Sequence, residues 1–545
     1  MSESDPPSTV AALLTARADD DSTGLLAGDR AWTWRAVVAE SEARARALLA
    51  ARRPGPFHIG VLLGNTPEYV FTLLGAARAG ATVVGINDTR RGEELARDVR
   101  HTDCQFVLTD EAHAPLLAGL DLGAAWVASV DEREWPGGRT GDLPDPPVPA
   151  DTWVLIFTSG STGAPKAVRM SHARAARAGA TATWFTTDDV LYCAMPLFHG
   201  NALNAIVLPA LATGATIALR ERFSASQFMP DVRRYGATFF STVGRALAYI
   251  LATPESPDDR EHRVKYALAP ESSPTDMRAF RRRFGITCVT GYGSSENAIV
   301  MVPQPGLPKD ALGVPAEGLD VAIIDPETGQ ECPRAEFDAD GRLTNAAAAI
   351  GEIVGRNAVD RFEGYYNNPD AEAERTRNGW YWSGDLGYRD QDGVFWFAGR
   401  AGEWLRVDAE NFATAPVERI LERAPGVSGV AVYPVPDERT ADDQVMAALE
   451  LERGATFDPD AFTEFLARQP DLGSKWAPRY VRVTTLPVGA TGKVDKRPLR
   501  RERWYTDDPV YWRPERGAAY RRLTPDDVAR IEMAFAEHGR TIERP

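Results

Sequence analysis

Along this chain short apolar runs alternate with helical spacings, a pattern that predicts parallel α/β architecture. Apolar residues at 25–27 and 31–34 flank Gly28-Asp29, the signal of a hairpin. A helical pattern then runs to Ala51. Residues 58–63 predict a strand, 67–79 a helix opened by Pro67, 81–86 a strand, 89–101 a helix and 106–108 a strand. The Pro- and Asp-rich stretch 135–151 is expected to be a surface connector. A second α/β region opens with the apolar strand 153–157 and continues to about residue 324. Residues 351–397, rich in glycine and aromatics, predict a smaller β-rich unit. Beyond Arg400 come a helix at 416–423, a strand at 429–435, a helix at 459–469 and a strand at 480–484, a compact α+β module. A charged, Trp- and Tyr-bearing extension ends the chain.

Composition narrows the picture. The 545 residues are 44% apolar and 25% charged, enough apolar material for two or three domains. The formal charge is −16, from 61 basic and 77 acidic side chains, which disfavours phosphate backbones and anionic lipid surfaces as partners. Residues 201–219 are apolar and uncharged, but Pro209 and Gly214 divide them, so a buried helix, turn and strand are expected and no membrane span. Cys104, Cys193, Cys288 and Cys332 show no metal spacing and read as reduced thiols. The first residues lack the basic-then-apolar order of a signal peptide, and a cytoplasmic location is expected.

The strongest chemical signal follows the strand at 153–157. Thr158, Ser159, Gly160, Ser161, Thr162 and Gly163 lead through Ala164-Pro165 to Lys166. Glycines let backbone N–H groups approach an anion, and hydroxyls and a lysine add donors, a set suited to the β- and γ-phosphates of a nucleotide. It is not a Walker A loop, because Pro165 precedes the lysine and Ala167 stands where a Mg²⁺-binding hydroxyl belongs. P-loop phosphoryl transfer yielding ADP fails on this mismatch.

This loop resembles the signature of the adenylating superfamily of acyl-CoA synthetases, peptide-synthetase adenylation domains and luciferases, and further motifs follow in that family's order. The segment Pro196-Leu197-Phe198-His199-Gly200-Asn201 is similar to the gate beside the acyl pocket, which implies substrate contacts for Phe198, His199 and Asn201 and a catalytic place for His199. Tyr292-Gly293-Ser294-Ser295-Glu296 resembles the adenine and magnesium motif: Tyr292 would stack on adenine, Ser295 meet the α-phosphate and Glu296, with Thr158, hold Mg²⁺. Ser383-Gly384-Asp385 resembles the ribose motif, with Asp385 on the ribose hydroxyls and Arg400 nearby. Thr491-Gly492-Lys493 is similar to the loop that carries the catalytic lysine. A carboxylate suits a cis-diol, a glutamate suits Mg²⁺, and a lysine on a glycine-flanked loop can reach two anions. The resemblance implies a domain at 1–400 holding the acid and ATP sites, a hinge at 401–402 built on Gly402, and a small mobile α+β domain at 403–545. The whole is an α/β fold whose large N-terminal domain has two α/β subdomains and a β-rich one.

The segment from Arg406 to Thr414 resembles the fatty-acid-transport-protein branch, yet the chain departs from that branch at informative places. Ala409 replaces a glycine past which the pantetheine arm of CoA slides. Leu268-Ala269-Pro270, among the nucleotide-binding positions, replaces a Gly-Asn-Glu-like triplet, and Asn297-Ala298 add bulk beside the acyl pocket. Pro416 replaces a glutamate. The adenylation residues are intact, whereas the thioester half differs. The expected activity is ATP-dependent, AMP-forming activation of an acid with transfer to CoA. The alternative is a diazotase of natural-product pathways, joining ATP-activated nitrite to an aryl amine. A nucleotide-binding protein without chemistry is disfavoured by the presence of Lys493, Glu296 and Asp385 together. The implied small molecules are ATP, Mg²⁺, an acid and CoA or an aryl amine.

Overall fold

The computed structural model describes residues 7–130, 142–158, 166–270, 272, 274–304, 306–307, 311–339, 343–400, 404–407, 410–438, 443–469, 472–473, 475–488, 494–515, 517–538, 540, 542 and 544. They form two compact units, one of Met1–Val300 with Asp360–Glu374, the other of Met301–Val359 with Arg375–Pro545.

Two sheets build the first unit. One has six strands in the order Trp126–Ser129, Cys104–Thr109, His58–Leu62, Thr82–Gly85, Thr152–Thr158 and Lys166–Ser171, parallel except for the last, antiparallel pair. The other has seven, with Val190–Cys193 and Thr216–Leu219 at its centre and the Thr23–Ala27, Arg30–Thr33 hairpin at one edge. Alternation along the strands sets the layers. Ile59, Val83, Val154 and Ile156 share one core with Leu191, Ile217 and Phe239 of the other sheet and with the helices Trp34–Ala51 and Pro67–Ala79. Their neighbours face outward: Leu62, Val84 and Leu155 into one outer core, Tyr192, Ala218 and Phe240 into another. Because side chains alternate faces with period two, each central strand is apolar on both sides, as parallel sheets covered by helices require.

The helix Pro67–Ala79 begins and ends where the sequence places it. Thr66 caps it through its hydroxyl, Pro67 opens its first turn, and Gly80 closes it at φ 67°. The helix expected over 89–101 starts instead at Gly92, because Asn87 folds back to accept from the Thr89 amide at 2.9 Å and holds a turn there. Residues 201–219 form the expected helix, turn and strand, with a π-helical stretch at Leu203–Val207.

In the second unit an antiparallel sheet runs Ala311–Pro315, Phe395–Arg400, Trp380–Arg389, Gly351–Gly355 and Val321–Ile324. A hairpin, Trp404–Val407 with Glu410–Ala413, and a five-stranded sheet beginning with Val427–Pro436 and Asp443–Leu451 complete it. The expected α+β module is here, with its helix at Thr414–Leu421 and another at Pro459–Ala467. Among the described residues no helix is long and apolar enough to cross a membrane. The cysteines are all free, and burial pushes the Cys104, Cys193 and Cys288 thiols up to about 12, where they are inert at neutral pH.

Candidate active site

In the first unit the expected residues gather where strands end at their carboxyl edges, the usual place for ligands in open α/β sheets. Thr158 ends its strand directly opposite Lys166 in the antiparallel register. Ser159, Gly160, Ser161, Thr162 and Gly163 lie outside the described residues. Lys166 is buried, with its ammonium 3.4 Å from Glu374 and 5.8 Å from the centre of the Tyr365 ring.

The gate segment is fixed from the neighbouring sheet. Asn65, just past the strand His58–Leu62, donates to the Met195 carbonyl at 2.8 Å and accepts from the Leu197 amide at 2.9 Å. Phe198 is buried against Gly85, where any side chain would collide with its Cβ at 2.9 Å. Its ring lies 4.6 Å from that of His199. Asn201 accepts a 2.7 Å hydrogen bond from Ser241. A side chain on Gly200 would come within 4.0 Å of the Ser295 hydroxyl and 3.6 Å of Ile156, so the 196–201 segment, the strand Thr152–Thr158 and the 292–296 turn meet at this glycine.

Tyr292 and Gly293 form a short strand, and Asn297 turns the chain at φ 53°, a left-handed conformation asparagine tolerates. This turn buries Glu296 and Ala298. Arg174, in the first turn of the helix His172–Ala180, donates to the Ser295 carbonyl and to that of Arg169 at 3.0 Å. Glu296 accepts a 2.7 Å hydrogen bond from the Tyr365 phenol. Leu268-Ala269-Pro270 close the Tyr266–Leu268 strand: Leu268 accepts from the Thr242 amide at 2.8 Å, Ala269 donates to Val289 at 2.8 Å, and Pro270 accepts from Gly244 at 3.1 Å. A surface cleft of about 580 Å³, lined by Leu251, Glu255, Arg260 and Arg283, lies apart from all these residues.

In the second unit Arg400 pairs in register with Asp385, which sits mid-strand. The Asp385 amide donates to the Ser383 hydroxyl at 3.0 Å. Gly384 has φ 72°, and the Arg375 guanidinium fills the space beside it. The Gly384 amide donates to Glu352 at 2.7 Å, and burial raises the Glu352 pKa above the usual carboxylate range. Gly402, Ala409 and Lys493 lie outside the described residues.

In the first unit, then, a lysine opposite a threonine hydroxyl and a buried glutamate on a Tyr-Gly-Ser-Ser-Glu turn supply the group types that suit a phosphate and its cation. A model of the AMP-binding enzyme family matches residues 14–366. The chain belongs to that family. A steroid-22-oyl-CoA synthetase of Rhodococcus jostii (strain RHA1) is 50% identical to it over 545 residues, 98% of each chain. A medium/long-chain-fatty-acid–CoA ligase of Mycobacterium tuberculosis, FadD17, is 44% identical over 519 residues, 92% of this chain and 98% of its own. The crystal structure of ATP-bound MatB from Rhodopseudomonas palustris matches with a TM-score of 0.77 at 23% identity, over 90% of this chain and 98% of that one, a likeness of fold.

Membership gives the motifs their setting, but several supporting residues escaped the sequence. Tyr365, Arg174, Asn65, Ser241 and Glu352 each hold a motif residue from far along the chain. The one local signal was the run Phe362-Glu363-Gly364-Tyr365-Tyr366, which read only as part of a β-rich stretch.

Proposed function

We propose that this enzyme is an AMP-forming acyl-CoA ligase for a bulky hydrophobic carboxylic acid of the steroid side-chain type. The observation that carries the substrate class is the 50% identity, over the whole chain, to a steroid-22-oyl-CoA synthetase. The 44% relative, named for medium- and long-chain fatty acids, favours straight-chain acids as a second reading. With one relative named a CoA synthetase and the other a CoA ligase, CoA is the acceptor we adopt, and the diazotase gains no support.

In this reading Lys166 and the hydroxyl-rich loop neutralise the β- and γ-phosphates. Tyr292 stacks on adenine and Asp385, beside Arg400, takes the ribose hydroxyls. An oxygen of the acid attacks the α-phosphorus in line, pyrophosphate leaves, and Lys493 stabilises the charge in flight. The CoA thiol then attacks the acyl carbonyl and AMP leaves. Rotation at Gly402, between domains 1–400 and 403–545, would exchange Lys493 for the thiol. Mg²⁺, where bound, screens the phosphate charge. The described residues hold no group of three carboxylate, imidazole or thiol side chains fit for a metal. One buried carboxylate, Glu296, fits the way this cation is usually held, by one or two carboxylates and the substrate's own phosphates. A cytoplasmic location is part of the same proposal.

The test is pyrophosphate release and thioester formation across a panel of steroid side-chain carboxylates, fatty acids, benzoate and nitrite, with and without CoA. We expect CoA thioester with the highest kcat/KM for the steroid acids. Faster turnover of fatty acids would move the substrate class to the second reading. AMP formation that needs nitrite and ignores CoA would overturn the ligase.

A further inference from the structure

We infer that Tyr365 is a positioning residue for the nucleotide–metal site, fixing the carboxylate of Glu296 through its phenol. The inference rests on the reading of Glu296 as the Mg²⁺ ligand. Tyr365 lies on Asp360–Glu374, which is compact with the first unit although the residues on either side of it belong to the second. Its backbone is zipped to the strand that begins with Lys166. Tyr366 donates to the Ala167 carbonyl at 2.8 Å, and Arg169 donates to Gly364 at 3.2 Å. Gly364 takes φ 83°, with Glu372 filling the space at its α-carbon, and the Tyr365 amide donates to Glu372 at 2.7 Å. Val168, Ala371 and Phe362 enclose the ring, leaving Tyr365 1% exposed. Backbone and ring are thus both determined before the phenol reaches Glu296 at 2.7 Å.

The choice of donor matters. Arginine or lysine would also hold a buried carboxylate, but would cancel the charge a cation needs. A neutral phenol fixes the plane of the carboxylate and leaves its charge in place. Such outer partners orient metal ligands, and their loss commonly weakens metal binding. The same ring lies under the Lys166 ammonium, so one side chain touches both the cationic and the anionic candidate of the phosphate site.

Tyr365→Phe removes one oxygen and keeps the ring. ATP binding to the full chain is titrated against Mg²⁺ by calorimetry, beside Glu296→Gln and the wild type, with melting curves for all three. For Tyr365→Phe we expect the Mg²⁺ concentration for half-maximal ATP binding to rise roughly 10-fold, with metal-free ATP binding unchanged. Glu296→Gln should abolish the Mg²⁺ dependence. If it does and Tyr365→Phe titrates like the wild type, Tyr365 does not position Glu296. A lower melting temperature with an unmoved Mg²⁺ curve would likewise reduce the hydrogen bond to a structural one and overturn the inference. Should Glu296→Gln keep the full Mg²⁺ dependence, the ligand assignment falls by its own arm and takes the role of Tyr365 with it.

Discussion

His172 shows what burial does to a single group. It opens the helix His172–Ala180 and is 1% exposed, and its Nδ1 has no hydrogen-bond partner among the described residues. Burial lowers its pKa to about 4, against the opposing pull of Asp151. The folded state therefore binds fewer protons than the unfolded chain between pH 6.5 and 4, and stability falls as pH drops through that window. The contribution lost between pH 7 and pH 5 is about 2 kcal/mol. We expect His172→Gln to flatten the acid limb of a chemical-denaturation pH series by that amount; an unchanged slope would assign it to other groups. At this scale Thr158, Glu296 and Asp385 stand out because each lies in a short run and the runs follow one another in the family's order; Ser-Gly-Asp taken alone is more often an ordinary turn. Tyr365 does not, since its meaning lies in a hydrogen bond to a residue 69 positions away, and no periodicity carries that.

Among elements, the packing of Trp34–Ala51 on Pro67–Ala79 turns on one glycine. A Cβ on Gly75 would stand 2.5 Å from the Ser41 carbonyl oxygen and 3.0 Å from the Arg44 Cβ. Glycine inside a helix costs about 1 kcal/mol relative to alanine, so propensity alone favours Gly75→Ala. The clash is with backbone, which cannot rotate aside, and overpacking of this kind costs about 1–3 kcal/mol. We expect the clash to win and Gly75→Ala to lower the melting temperature by several degrees; a rise would mean the two helices can part without loss. Helix limits were readable where caps are explicit, as at Thr66 and Gly80. They were misread where a side chain competes, as Asn87 does before Gly92. The close approach at Gly75 left no mark in the sequence beyond a glycine within a helical pattern.

For the whole molecule, the two units have separate cores: one joins the two sheets of the first, others lie around the sheets of the second. We expect calorimetry to give an unfolding enthalpy larger than the van't Hoff value, since independent cores need not melt together. Equality of the two would show a single cooperative unit. The order of the chain adds a consequence for synthesis. The first unit is all but specified by residue 300, yet Asp360–Glu374, with Tyr365 at its centre, emerges from the ribosome only after about sixty residues that belong elsewhere. At roughly 5–20 residues per second that delay is about 3–12 seconds. Through that interval Val168 and Glu296 wait for the segment that covers them in the folded chain.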